Sequence, residues 1–326
     1  AEDGAPAAVE NLNASFTDNS LVGKVAFTAP TATYAGGTLS GQLSYYVMVG
    51  NDTLATGKTY PGAFVRETVT VPEGVTTFRV TTANEVGSSP ENKVKVYVGN
   101  DEPTQVKDVN LAIDPETGVA KLTWSPVTTG INGGYIGNIT YNVVRYPDST
   151  TVATGLAATE FTETFSAEEP LQTYSYGVAA VNDTQTGVAG ISNKSVFGAA
   201  IVPPYSEPLD NEGALELYTI IDNNEDGSTW EFNEKEGAAS YKYSRVNDGD
   251  DWLITPAIQL KGGKLYSVSF ETCGYGYTYH ERIEVKYGNQ PTVAGMTHQL
   301  CESTDILSPY KTKYTPMIAS QTDQNF

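Results

Sequence analysis

The side chains with most chemistry to offer lie in the last third of the chain. In Ile220-Ile221-Asp222-Asn223-Asn224-Glu225-Asp226-Gly227, the oxygen-bearing Asp222, Asn224 and Asp226 alternate ahead of a glycine. That spacing lets a tight loop turn several oxygens inward, as a hard cation bound at about 2.3–2.6 Å requires. It is only half of a helix-flanked calcium loop, without the closing glutamate, and by itself favours an Asx-rich turn with solvated charges. A second acidic run, Asp248-Gly249-Asp250-Asp251, stands directly before Trp252–Leu260, one of four strand-like runs here with Ser228–Phe232, Leu265–Phe270 and Arg282–Tyr287. Residues 204–260 hold 13 acids and 3 bases, so lysine and arginine cannot neutralise carboxylates crowded this closely. A bound Ca²⁺ would relieve the excess.

Tyrosines supply a second kind of surface. Tyr241 and Tyr243 alternate, as do Tyr275, Tyr277 and Tyr279, the latter set interleaved with Gly274 and Gly276. Rings presented on one side of a strand or loop can stack on sugar C–H groups; equally, tyrosine is a favoured strand residue that simply covers a sheet. Little points to catalysis. The two histidines, His280 and His298, stand in no triad or metal-ligand spacing. The chain has no G-x-S-x-G elbow, no H-E-x-x-H and no phosphate-cradling glycine loop. Paired carboxylates are plentiful but cluster in one loop rather than facing each other across a cleft. The expectation is a non-enzyme.

What must position these groups is a β-rich scaffold. The 326 residues exceed one small sandwich and predict two or three domains. A net charge of −20 argues against nucleic acid and against docking on anionic lipid. No apolar run is long enough to span a bilayer. Ala1-Glu2-Asp3-Gly4-Ala5-Pro6 carries no leader features, so any lipid anchor would have been attached through a segment removed ahead of it. Cys273 and Cys301 form either one bridge or two buried thiols, too few for a disulfide framework.

Residues 9–98 and 106–202 read as two copies of one pattern. Lys24-Val25-Ala26-Phe27 answers Lys121-Leu122-Thr123-Trp124, and Gly36-Gly37 answers Gly133-Gly134. Leu43, Tyr45 and Val47 answer Ile139, Tyr141 and Val143; Phe78-Arg79-Val80 and Asn84 answer Tyr176-Gly177-Val178 and Asn182. Apolar residues alternate within each copy, and turn residues separate about seven short runs, the pattern of an antiparallel sandwich. The fold class is all-β, with two immunoglobulin-like sandwiches in tandem and a third β-domain.

The second copy resembles the fibronectin type III module, through Trp124 before Ser125-Pro126 and through Tyr174-Ser175-Tyr176-Gly177-Val178-Ala179-Ala180-Val181-Asn182. The resemblance implies that Tyr174 forms a tyrosine corner, its hydroxyl bonded to nearby backbone. The first copy is a diverged relative, with Phe27 for the tryptophan and Thr76 for the corner tyrosine. Domain boundaries fall at 1–101, 102–203 and 204–326. Asn100-Asp101-Glu102-Pro103 is too short for free tumbling, and Val202-Pro203-Pro204 reads as a stiff, extended junction.

The last domain resembles the cleaved-adhesin family, MAM-like jelly rolls of bacterial surface adhesins including those attached to gingipain-type proteases. The resemblance is carried by Ile221-Asp222, Asp226-Gly227 and Trp230, by Asp251-Trp252-Leu253-Ile254-Thr255-Pro256-Ala257-Ile258, by Gly263-Lys264-Leu265-Tyr266, and by Glu281-Arg282-Ile283-Glu284-Val285. It implies a structural Ca²⁺ on Asp222, Asn224 and Asp226, with Asp250 or Asp251 as a further ligand and Glu207 near the first strand. It also implies further strands beyond Phe326 to close the jelly roll. The function implied is adhesion at an extracellular or outer cell surface, through host protein or glycan, with Tyr275, Tyr277 and Tyr279 as ligand-binding candidates. The alternatives are an ancillary, non-catalytic part of a larger secreted protease or glycoside hydrolase, or a glycan-binding lipoprotein.

Overall fold

The computed structural model describes residues 4–278, 280–306, 309–321 and 326. The first module comprises β1 (Glu10–Phe16), β2 (Val22–Thr28), β3 (Leu43–Val49), β4 (Asp52–Thr59), β5 (Phe64–Thr70), β6 (Gly74–Ala83) and β7 (Asn92–Val98). They form a three-stranded sheet ordered β1-β2-β5 against a four-stranded sheet ordered β4-β3-β6-β7. Alternation decides which face is buried: Leu43, Tyr45 and Val47 of β3 point inward, as do Thr76, Phe78 and Val80 of β6. Tyr45, Val47, Phe78 and Val80 join Val25, Phe27 and Val98 in one core, while Leu43 packs with Ala29 and Leu39 in a smaller cluster.

The second module repeats this plan with β8 (Asn110–Ile113), β9 (Val119–Thr123), β10 (Thr140–Tyr146), β11 (Thr150–Leu156), β12 (Glu160–Thr164) and β13 (Gln172–Val181). The sheets are ordered β12-β9-β8 and β11-β10-β13-β14. The strand answering β7 is split into β14 (Gly190–Ile191) and β15 (Ser195–Phe197), both paired to β13. Between them Asn193 substitutes for a ladder, its side chain donating to Leu111 O (2.9 Å) and accepting from Leu111 N (2.8 Å). The core gathers Trp124, Tyr141, Val143, Tyr176 and Val178. This three-plus-four strand order, found twice, makes the first 200 residues tandem fibronectin-type-III-like sandwiches.

Two expectations need correcting, one from that resemblance and one from the Pro-Pro junction. Tyr174 forms no corner: its ring stacks on Phe165 (4.0 Å between centroids), and its hydroxyl makes no backbone hydrogen bond among the described residues. The tyrosine that pins backbone is Tyr141, whose buried hydroxyl accepts from Val127 N (2.9 Å) while its ring meets Trp124 edge-on. At the second junction, the Pro203–Pro204 peptide is cis where the sequence suggests an extended run. Just before it, Ile201 is laddered to the C-terminal region through Ala257 O (2.8 Å) and Gln259 N (2.7 Å).

The C-terminal region is also built of strands: β16 (Thr219–Asp222), β17 (Trp230–Asn233), β18 (Ala238–Tyr241), β19 (Asp251–Ile254), β20 (Leu265–Ser267), β21 (Phe270–Thr272), β22 (Glu281–Tyr287), β23 (His298–Ile306), β24 (Thr312–Tyr314) and β25 (Met317–Ala319). They pair two by two as β16-β19, β17-β18, β20-β25, β21-β24 and β22-β23. The run expected over Trp252–Leu260 stops at Ile254, because Pro256 lacks the N–H that a continuing ladder needs. Both cysteines are free; Cys273 is exposed rather than buried, and Cys301 is half-buried. No helix among the described residues is long and apolar enough to cross a membrane.

Candidate functional site

Antiparallel pairing of β16 with β19 sets Asp222 opposite Asp251 and so brings the two acidic runs together. The loop after β16 closes mainly on itself. Asp222 accepts from Asp226 N (3.2 Å) and Gly227 N (2.9 Å), and Asp226 accepts from Ser228 N (2.8 Å). Glu225 and Gly227 take positive φ (55° and 79°) to make that turn. Asparagines then tie the loop to the second run: Asn223 Nδ2 donates to Asp250 Oδ2 (2.6 Å) and Asn224 Nδ2 to Asp248 O (2.8 Å). Asp250 is exposed and also accepts from Trp252 Nε1 (3.0 Å).

Asp251 differs from the rest. Its carbonyl accepts from Trp230 Nε1 (3.1 Å), and both carboxylate oxygens are shut off from solvent, facing the Tyr241 hydroxyl. Two more buried oxygens nearby, Thr229 Oγ1 just ahead of β17 and Ser240 Oγ on β18, have no hydrogen-bond partner. Burial pushes the Tyr241 phenol up to about 12, with the neighbouring Asp251 carboxylate adding to the effect. The sequence reading overlooked Thr229, Ser240 and Tyr241 as a group, since neutral residues on a hairpin carry no spacing signal of a site. Among the described residues, no three Asp, Glu, His or Cys side chains converge as a ready metal site. Glu207 turns elsewhere, accepting from Leu209 N (3.0 Å) beside Tyr205 and Tyr218.

The tyrosine candidates divide. Tyr275 and Tyr277, in the turn between β21 and β22, are 92% and 66% exposed. Tyr279 lies outside the described residues. Tyr241 is inside the hairpin and tilts against Trp230 (6.0 Å), whereas Tyr243 is exposed.

No family model matches the chain, and no curated protein matches it. Among solved structures, the FN1–FN3 domains of chicken CNTN1 align over 98% of this chain and 91% of theirs, at 12% identity and a TM-score of 0.30. A Fn3-like protein from Clostridium thermocellum aligns over 32% of this chain and 94% of its own, at 25% identity and 0.21. A two-domain fibronectin type III segment of chicken tenascin aligns over 59% and 99%, at 10% identity and 0.24. At these scores the likenesses add nothing to the strand order described above.

Proposed function

We infer that the chain is a non-catalytic interaction protein of the cell exterior, in which tandem modules hold out an acidic β-region that binds glycan through exposed tyrosines. The exposure of Tyr275 and Tyr277 carries this reading. Two rings one residue apart on a solvent-facing turn offer flat apolar faces with polar rims, which suits sugar C–H stacking combined with hydroxyl recognition. The Asp251-Trp252-Leu253-Ile254-Thr255-Pro256 run, which resembles the cleaved-adhesin pattern, favours an adhesive setting at the outer surface. In a glycan array probed with the whole chain, binding to a defined glycan class is expected, and Tyr277→Ala should abolish it. Silence across the array would turn the reading toward a protein partner.

A structural Ca²⁺ belongs to the same reading, and the buried Asp251 carboxylate favours it. A carboxylate shut off from solvent is a hard oxygen ligand whose charged form a bound cation would stabilise. The carboxylates of Asp222, Asp226 and Asp251 do not converge in the structure, so the 222–227 loop would have to draw in toward β19 for Asp251 to hold the ion with oxygens of Asp222, Asn224 and Asp226. The ion would then clamp the loop to that strand. Thermal unfolding of the whole chain should shift upward in Ca²⁺ and downward in chelator. Asp251→Asn should erase that difference. An unchanged wild-type midpoint with and without Ca²⁺ would remove these residues from the site.

A further inference from the structure

The two fibronectin-like modules solve the same local problem in different ways. In each, an asparagine after the sixth strand reaches back to the entering chain: Asn84 Nδ2 donates to Gly4 O (3.0 Å), and Asn182 Nδ2 to Asp101 O (2.9 Å). Gly4 and Asp101 therefore hold equivalent places. In each module the second glycine of a Gly-Gly pair also needs an acceptor for its N–H. In the first, Gly37 N donates to Thr33 Oγ1 (3.0 Å), within its own loop. In the second, the residue answering Thr33 is Gly130, and Gly134 N donates instead to Asp101 Oδ2 (2.9 Å), a group from the linker. Adding a Cβ at 130 would set it 2.2 Å from that oxygen, so the glycine is what makes room for the carboxylate.

Asp101 is 0% exposed and fully satisfied. Beyond Gly134 N it accepts from Asn132 N (2.8 Å), Asn132 Nδ2 (2.9 Å) and Glu102 N (2.9 Å). The linker around it is zipped into the second module by Asp101 N to Tyr135 O (2.7 Å) and by Ile131 N to Glu102 O (2.9 Å). Its other side is held by the first module. Glu73 accepts from Asn100 N (2.9 Å), Tyr97 Oη donates to Asn100 O (3.1 Å), and the Tyr97 ring lies 2.4 Å from where a Cβ on Gly134 would stand.

We propose that the buried Asp101 carboxylate, seated on the Gly130–Gly134 loop beneath Tyr97, is a purpose-built lock that makes the two modules one rigid body with a fixed mutual orientation. Carboxylate acceptance from four N–H donors in a water-free site is strong and directional, and removing it leaves those donors unmet.

The decisive variant transplants the first module's own solution. In Asp101→Gly/Gly130→Thr, the new hydroxyl can take the Gly134 N–H, so the second module keeps its loop while the linker loses its anchor. Residual dipolar couplings on the whole chain should fit one common alignment tensor for residues 9–98 and 106–202 in the wild type. In the double variant they should require two. Asp101→Asn, which turns an NH₂ toward the loop's N–H donors, should lower hydrogen-exchange protection of the Asn132 and Gly134 amides and likewise split the tensor. Separate tensors in the wild type, or one tensor retained in both variants, would overturn the lock.

Discussion

Trp124 and Phe27 occupy the same place in the two cores, each edge-on to a tyrosine of the facing sheet (5.3 and 5.6 Å). The indole is the less comfortable of the two, because its buried Nε1–H has no acceptor. Trp124→Phe deletes that orphan, worth about 1–3 kcal/mol, while giving up part of the ring's packing. The expected net change is therefore under about 2 kcal/mol, against about 3–5 kcal/mol for Trp124→Ala. Urea unfolding of the second module measures both. A similar exchange surrounds the glutamates of the fifth strands. Glu67 accepts from the Tyr45 hydroxyl, which is thereby pushed up to about 12. Glu163 instead accepts from Tyr176, and Arg145 joins it at 2.7 Å. The first module has Phe78 where the second has Tyr176, so another phenol from the core fills the role.

The linker behaves as an element of the fold rather than a tether. Burial alone would push the Asp101 carboxyl up, but the hydrogen bonds from Asn132, Gly134 and Glu102 outweigh it and hold it below the ordinary carboxylate value. Its contribution is thus complete above the unfolded carboxylate pKa of about 3.9 and lost as pH falls through the lower folded value. Glu73 and Glu102 flank the joint, so the readout must be local. Hydrogen-exchange protection of the Asn132 and Gly134 amides, corrected for intrinsic rate, should stay flat from about pH 7 to pH 5 and fall only below about pH 4. Strands themselves were well signalled where one face is buried: Leu43, Tyr45 and Val47 alternate because every second side chain of β3 enters the core. Where strands are short and half-exposed, as at β20 and β21, the pattern overran, and a single run was expected where Val268 N donates to Pro316 O between two short pairs.

Across the whole molecule, packing follows the contrast in composition. The first two modules have continuous buried cores. The last 123 residues carry 19 acids against 9 bases and scatter their buried apolar groups among paired strands. Periodicity and the internal repeat are local properties of the chain, and they determined the all-β class, the two tandem sandwiches and the meeting of aspartates with a strand. Contacts between distant segments were open until the chain folded. Only the tertiary structure decided that Tyr141 and not Tyr174 holds backbone, that Asp222 is answered by its own loop while the Asp251 carboxylate is buried against Tyr241, and that Asp101 is buried under four N–H donors. A hydrogen bond is satisfied by whatever group arrives within about 3 Å, and sequence spacing does not encode which group that is.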